Sequence, residues 1–343
     1  MSQAAFARTG FEAAPPVRPP RPGPRTETEP RAPRTACRPP RPGEDPALDA
    51  VAAAWLRADP DGTRTAAVVR ETFDQLYDGQ RTGRWDYEQL FKTEKTHLGT
   101  LLQINLQKEL GLEDGLLLDY RIAGAEVDCK FSRVLYEWEI PREMYERGDE
   151  LALVCWASDH HARFGVGVVR ISDDLLRTSR NRDGKRKLNE AGADSVRWLA
   201  WGDLVENTLL CLDDATRASI LGGRSGQECV TRLFRVLPGR LINRATVLTC
   251  AKQDDCLKRV RDARRPLRQE GVVVFGHYAP HPQMAAALGL PAPRRGEFVS
   301  ARLAPGGVGD ITVIEVERGV WRLASRDDPQ VLAPVLPKQG RER

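Results

Sequence analysis

Residues 116–132, 151–158 and 165–172 read LLLDYRIAGAEVDCKFS, LALVCWAS and GVGVVRIS, three strand-forming segments in close succession. Their content of Val, Ile, Leu and aromatic residues suits a pleated surface, and strands of this kind need partners. Helical patterns precede them. LDAVAAAWLRA and TAAVVRETFDQLYDG are separated by the turn DPDG, and a third candidate runs from about Glu94 to Leu110. In that third segment Leu98, Leu101, Leu102, Ile104, Leu106 and Leu110 recur at about 100° per residue and cover a broad apolar arc. Helices followed by several strands predict an α/β (α+β) fold, a mixed sheet core flanked by helices.

The chain has 343 residues, enough for two domains each with its own core. Residues 1–43 form no part of either core. They hold eleven of the 24 prolines and almost no aliphatic residues, so a disordered Pro/Arg-rich tail is expected. The same segment carries eight Arg against three Glu, a charge of +5, which leaves 4 − 5 = −1 for the rest of the chain. Net charge is therefore no argument for nucleic acid. No run of eighteen apolar residues and no secretory leader is visible, and a soluble, cytoplasmic protein with no membrane association is expected. The seven cysteines form no CxxC pair, which suits a reducing compartment and gives no zinc site.

A domain over 44–195 is expected, then a linker over 196–204, where the chain reads as polar and loop-like with two tryptophans, then a second domain over 205–338. Within 226–270 eleven Lys/Arg face five Asp/Glu, a local cluster that the net charge conceals. ECVTRLFRVL reads as a helix, LPGR as a turn and QDDCLKRVRDA as a further helix. Arg232, Arg235, Arg240, Arg244, Lys252, Gln253, Lys258 and Arg259, with Arg261 in the same cluster, are candidate contacts for DNA phosphates and guanine edges, although a basic helix is as often a solvated face.

The chemistry rests on the hairpin around Gly124. With a two-residue turn, Ala123-Gly124 or Gly124-Ala125, Asp119 faces Asp128 or Lys130, and all three share one face. A three-residue turn pairs Asp119 with Cys129 and scatters them. Asp128 and Lys130 stand two apart on their strand, roughly 6 to 7 Å, with side chains on the same side. Converging carboxylates make a hard oxygen site suited to Mg²⁺, and a neighbouring lysine orients water and offsets charge on phosphate oxygens. Val127, Cys129 and Phe131 then point into the core. The D-x8-D-x-K spacing alone is common, and by itself it does not identify a nuclease. His160 and His161 in SDHHAR read as a polar loop rather than as metal ligands.

TEKTHLGTLLQINLQKELG, DYRIAGAEVDCKFS and DPDGTRTAAVVRETFDQLYDGQRTGRW, with CWASD, GRLINRA and KQDD beyond, resemble the NaeI restriction endonuclease family over roughly residues 50–335. The resemblance implies a restriction-endonuclease-like PD-(D/E)xK domain followed by a second, effector-site DNA-binding domain with a CAP-like helix-turn-helix. It implies a type IIE enzyme, a homodimer that cuts double-stranded DNA at GCCGGC with Mg²⁺ and is stimulated by a second copy of its site. Asp119 and Asp128 would be metal ligands, Lys130 the catalytic lysine, and Cys129 at most a backbone carbonyl ligand. The family has an acidic residue where this chain has Gln103, which accepts a hydrogen bond but brings no charge. The family's ligase-like segment corresponds to Leu76-Tyr77-Asp78-Gly79, which lacks a lysine, so no ligase chemistry is expected. Two other readings remain open: a DNA-binding regulator with weakened catalysis, and strand transfer through Tyr77 or Tyr120.

Overall fold

The computed structural model describes residues 43–338 except 149, 254, 308 and 318; the Pro/Arg-rich opening lies outside the described residues. Among the described residues the chain divides into two units. The first runs to Leu76 and resumes over Asp86–Asn207, and the second takes Tyr77–Trp85 and everything from Thr208.

Helix α1 (Pro46–Ala58) starts on Asp45, whose side chain accepts from Leu48 N at 3.0 Å and whose two oxygens also hold Arg170 at 2.9 and 2.6 Å. One carboxylate thus satisfies an open helix end and a sheet cation together. Helix α2 (Thr63–Tyr77) follows the DPDG turn, and Asp59 accepts from the N–H groups of Arg64 and Thr65 in its first turn. The four-residue helix α3 (Gly79–Thr82) belongs to the second unit, where it packs on a helix introduced below. Helix α4 (Lys92–Leu110) buries Leu98, Leu101, Leu102 and Leu106 and ends at Gly111 in the left-handed region.

The strands of the first unit are β1 (Glu113–Asp114), β2 (Tyr120–Ile122) and β3 (Ala125–Ser132), then β4 (Glu150–Ser158) after helix α5 (Arg142–Arg147). They continue with β5 (Arg163–Ile171) and, after helix α6 (Glu190–Asp194), β6 (Arg197–Asp203). The sheet keeps chain order, β1-β2-β3-β4-β5-β6, and only the β3–β4 pair is parallel. A parallel pair needs a crossover, to which residues 133–148 with α5 belong. Period two sorts the side chains of β4. Ala152, Val154 and Trp156 join Trp138, Met144, Leu176 and Leu188 on one face, while Leu151, Leu153 and Cys155 are buried on the other. That explains the unbroken apolar run of β4, a central strand covered on both sides. Helix α1 lies on β5 and β6, and α4 lies on β3.

Residues 196–204, expected as a linker, instead carry β6, and the unit boundary falls between Asn207 and Thr208. The two tryptophans that suggested a polar loop are packing residues. Trp201 stacks on Trp156 at 5.0 Å between centroids, and Trp198 meets Trp201 edge-on at 4.9 Å.

The second unit comprises α7 (Asp214–Leu221), α8 (Gly226–Val236), β7 (Leu241–Asn243), α9 (Arg244–Ala251) and α10 (Cys256–Gln269). It ends with β8 (Val272–Phe275), α11 (His281–Ala287), β9 (Glu297–Pro305), β10 (Val313–Val316) and β11 (Gly319–Leu323). The sheet order is β10-β11-β9-β7, and β8 also pairs with β9. One core joins Val230, Leu233 and Phe234 of α8 to Val247 and Cys250 of α9, Val260 and Leu267 of α10, and Val272 and Val274 of β8. Helix α3 packs on α9. The helices expected around ECVTRLFRVL and QDDCLKRVRDA are α8 and α10, whereas the strands of this unit were not anticipated. Among the described residues no helix is long and apolar enough to cross a membrane.

Gly165 shows how closely the tryptophan stack fits the sheet, since an added Cβ would lie 2.3 Å from Trp201 Cε3 and 2.9 Å from Trp198 Cζ3. Overpacking of this kind costs about 1 to 3 kcal/mol. Gly165→Ala should therefore lower the urea midpoint followed by tryptophan fluorescence, and an unchanged midpoint contradicts this packing.

Candidate active site

Ala123 and Gly124 both adopt positive φ, 51° and 83°, the signature of a two-residue type I′ hairpin turn. The pairs Ile122↔Ala125, Arg121↔Glu126 and Tyr120↔Val127 follow from it. The next pair in that register is Asp119 with Asp128. Of the registers left open by the sequence, the Ala123-Gly124 turn is the one adopted, and the three-residue turn is not.

Asp119 Oδ2 accepts a hydrogen bond from Cys129 N at 2.7 Å, which ties the carboxylate to β3. Asp128 is 7% exposed and forms an ion pair with Lys130 Nζ. The same ammonium stands 3.5 Å from the Cys129 carbonyl oxygen. Burial pushes the Asp128 carboxyl up to about 6; Lys130 opposes that rise and the neighbouring Asp119 carboxylate adds to it. The buried Asp128 carboxylate is costly to ionise without a cation beside it.

The opposite parity of β3 is apolar, as expected. Cys129 is buried there, and Cys155, held beside it, has its thiol pushed well up by that contact and by burial. Tyr120 donates its hydroxyl to the Gln103 carbonyl oxygen at 2.7 Å and is fully buried, with its phenol pushed far up by desolvation. Tyr77 is buried too. Neither tyrosine presents a nucleophile, which removes the physical basis for strand transfer. Helix α4 approaches β3 closely, Gly99 lying against Phe131, and so brings the Gln103 backbone up to the residue before which Asp119 stands. Among the described residues the Gln103 side chain makes no hydrogen bond to Asp119, Asp128 or Lys130.

Asp128 Oδ2 is buried and accepts no hydrogen bond, its charge met by the Lys130 ion pair. The oxygens at hand, those of Asp119, Asp128 and the Cys129 carbonyl, are of the kind that hard cations take. Among the described residues no group of three or more His, Cys, Asp or Glu converges.

The basic residues of the second unit do not share one face. Arg232 is bound to Glu228 at 2.6 Å and to the Ser219 carbonyl at 2.8 Å, and Arg235 holds Glu270 with two bonds of 2.6 Å. Arg240 and Arg259 are partly buried, while Arg244, Lys252, Gln253 and Lys258 are exposed around α9 and the start of α10. Cys256, Val260, Ala263 and Leu267 point α10 into the core, so Lys258, Arg261 and Arg265 lie along its open side. Arg265 was not among the expected contacts, although its helical spacing from Lys258 and Arg261 was available to find it. His160 lies in the turn between β4 and β5 and is buried there, with Nε2 4.0 Å from Asp86 Oδ1.

Comparison with known proteins gives a consistent result. The family model described as restriction endonuclease NaeI covers residues 49–332. The type II restriction enzyme NaeI of Lentzea aerocolonigenes is 45% identical over 310 residues, which span 87% of this chain and 96% of that protein. Both matches take in the hairpin and both units.

The raised Asp128 carboxyl carries a sign for stability. Its folded pKa of about 6 lies above the usual unfolded value of about 3.9, so the folded state binds more protons between them. The contribution of Asp128 to stability is full below about pH 4 and is lost as pH rises through about 6. In chelator-treated protein, Asp128→Asn should flatten that fall in the urea midpoint, leaving the share due to Asp74, which burial also pushes up to about 6. An unaltered pH profile contradicts the assignment.

Proposed function

Because this chain belongs to the NaeI restriction endonuclease family, we propose that it is a site-specific deoxyribonuclease that hydrolyses phosphodiester bonds of double-stranded DNA. Asp119, Asp128 and the Cys129 carbonyl would hold Mg²⁺. When bound, that ion supplies Lewis-acid polarisation of the scissile phosphate and lowers the pKa of an attending water. The observation that carries the reading is the pair of facing carboxylates with Lys130 beside them.

The chain's own residues divide the remaining work. Lys130 places a positive charge where the phosphate oxygens gain charge as water attacks, and it orients that water through its N–H donors. Asp119, fixed by the Cys129 N–H, and Asp128, held by Lys130, present their oxygens without reorganising. The buried Cys129 thiol takes no part.

The recognition sequence is proposed as GCCGGC, and the functional unit as a homodimer stimulated by a second copy of the site. The second unit, Thr208 onward with Tyr77–Trp85, would hold that second DNA. Its element order supports this reading: α8, β7, α9, α10, β8, α11 and β9, with β9 pairing both β7 and β8, follows a winged, CAP-like helix-turn-helix with α11 inserted between β8 and β9. Helix α10 would enter the groove, its exposed Lys258, Arg261 and Arg265 toward phosphate and guanine edges.

Gln103 favours a second reading, a DNA-binding protein whose catalysis is weakened. The two readings separate on one assay. With Mg²⁺, the chain should convert plasmid carrying GCCGGC into discrete fragments, Asp128→Ala should bind the site without cutting, and Gln103→Glu should raise the rate. Binding without cutting in the parent would establish the weakened form, and normal cutting by Asp128→Ala would remove the site assignment.

The second unit has its own test. Removing one cation from a DNA phosphate should reduce the slope of log affinity against log salt by about 0.9. Arg261→Ala with Arg265→Ala should therefore flatten the salt dependence of DNA binding, and an unchanged slope contradicts the placement of α10 on DNA.

A further inference from the structure

We propose that Glu126 is a positioning residue for hydrolysis, a role that rests on the reading of Asp119 and Asp128 as the hydrolytic pair. Glu126 stands on β3 two residues before Asp128, on the same face. Its Oε1 accepts from Leu116 N at 3.0 Å, and its Oε2 accepts from Leu117 N at 2.9 Å and Leu118 N at 3.0 Å. Three consecutive backbone donors therefore close on one carboxylate. The segment they belong to ends at Asp119.

Little else holds that segment. Leu116 is 84% exposed and Leu117 70%, so burial of apolar surface does not fix it. Strand β1 is two residues long, and Gly115 N reaches the Asp119 carbonyl only at 3.4 Å. Gly115 marks how tightly the loop wraps the carboxylate: an added Cβ would lie 2.2 Å from the Leu118 carbonyl oxygen and 2.9 Å from Glu126 Oε2. Without Glu126 the three N–H groups would turn to water. Repulsion from Asp128 would then act on an Asp119 restrained by a single hydrogen bond to Cys129 N.

The same geometry explains why the residue is a glutamate. Glutamine keeps one acceptor oxygen and would turn its NH₂ toward a backbone N–H, so it can serve only part of the set. Aspartate is one methylene too short to reach the loop. Alanine removes every one of these hydrogen bonds, together with the charge that faces Arg121 across the hairpin.

The test uses the full chain, with plasmid cleavage at saturating Mg²⁺ and hydrogen exchange of the Leu116, Leu117 and Leu118 amides in metal-free protein. Glu126→Ala should lower kcat by about 10- to 100-fold, the usual effect of losing a group that orients a metal ligand. KM for DNA should stay nearly constant, and the three amides should exchange faster. Glu126→Gln should recover part of the rate and part of the amide protection. A parent that does not cut overturns the reading of the site, and the positioning role with it. A parent that cuts no faster than Glu126→Ala overturns the positioning role alone, as does a defect expressed in KM rather than kcat. Unchanged exchange of the three amides overturns it as well.

Discussion

A two-residue hairpin moves register only in whole steps, and every side chain of β3 inherits its face from that choice. Ala123 and Gly124 take positive φ and close the turn, which sets Asp119 against Asp128 and leaves Lys130 on the same side. A shift by one residue would bury Lys130 and send Cys129 to the site. The rest of the first unit serves that register. The opposite parity, Tyr120, Val127 and Cys129, is buried, so a slip would expose apolar residues and bury charge together.

Opposed carboxylates are costly, and the structure shows how the cost is contained. Asp128 is buried enough to favour its proton, and Lys130 supplies the compensating charge. Asp119 is held by a backbone N–H of the facing strand rather than by a second cation. The segment before it is gathered by Glu126 from the same strand. Position and charge are thus both governed by β3, which the parallel partner β4 fixes at the centre of the sheet.

Features set by local pattern were legible in the sequence. The leucine period of α4, the apolar run of β4 and the alternation of β3 each report a burial pattern that local sequence alone determines. Ala-Gly-Ala permits either of two turns, so the need for an even register could be read but not which one. The Trp-rich segment that became β6 looked polar because its flanks are charged, while Trp198 and Trp201 spend their area on Trp156 and Gly165. The membership of Tyr77–Trp85 in the second unit depends on tertiary packing and has no sequence signature. Charge could be counted but not its partners: Arg235 looked available and is bound to Glu270. Glu126 was invisible for a related reason, since its partners are backbone N–H groups that every residue but proline carries.

A cation held between Asp119 and Asp128, as proposed, can be detected without relying on cleavage of DNA. Fe²⁺ in place of Mg²⁺, with ascorbate and peroxide, cuts a polypeptide beside the bound ion, and the fragments can be mapped by mass spectrometry. Cuts are expected next to Asp119 and within Asp128–Lys130, absent in Asp128→Asn and suppressed by excess Mg²⁺. Cuts confined to other parts of the chain, or cuts that persist in Asp128→Asn, would contradict it.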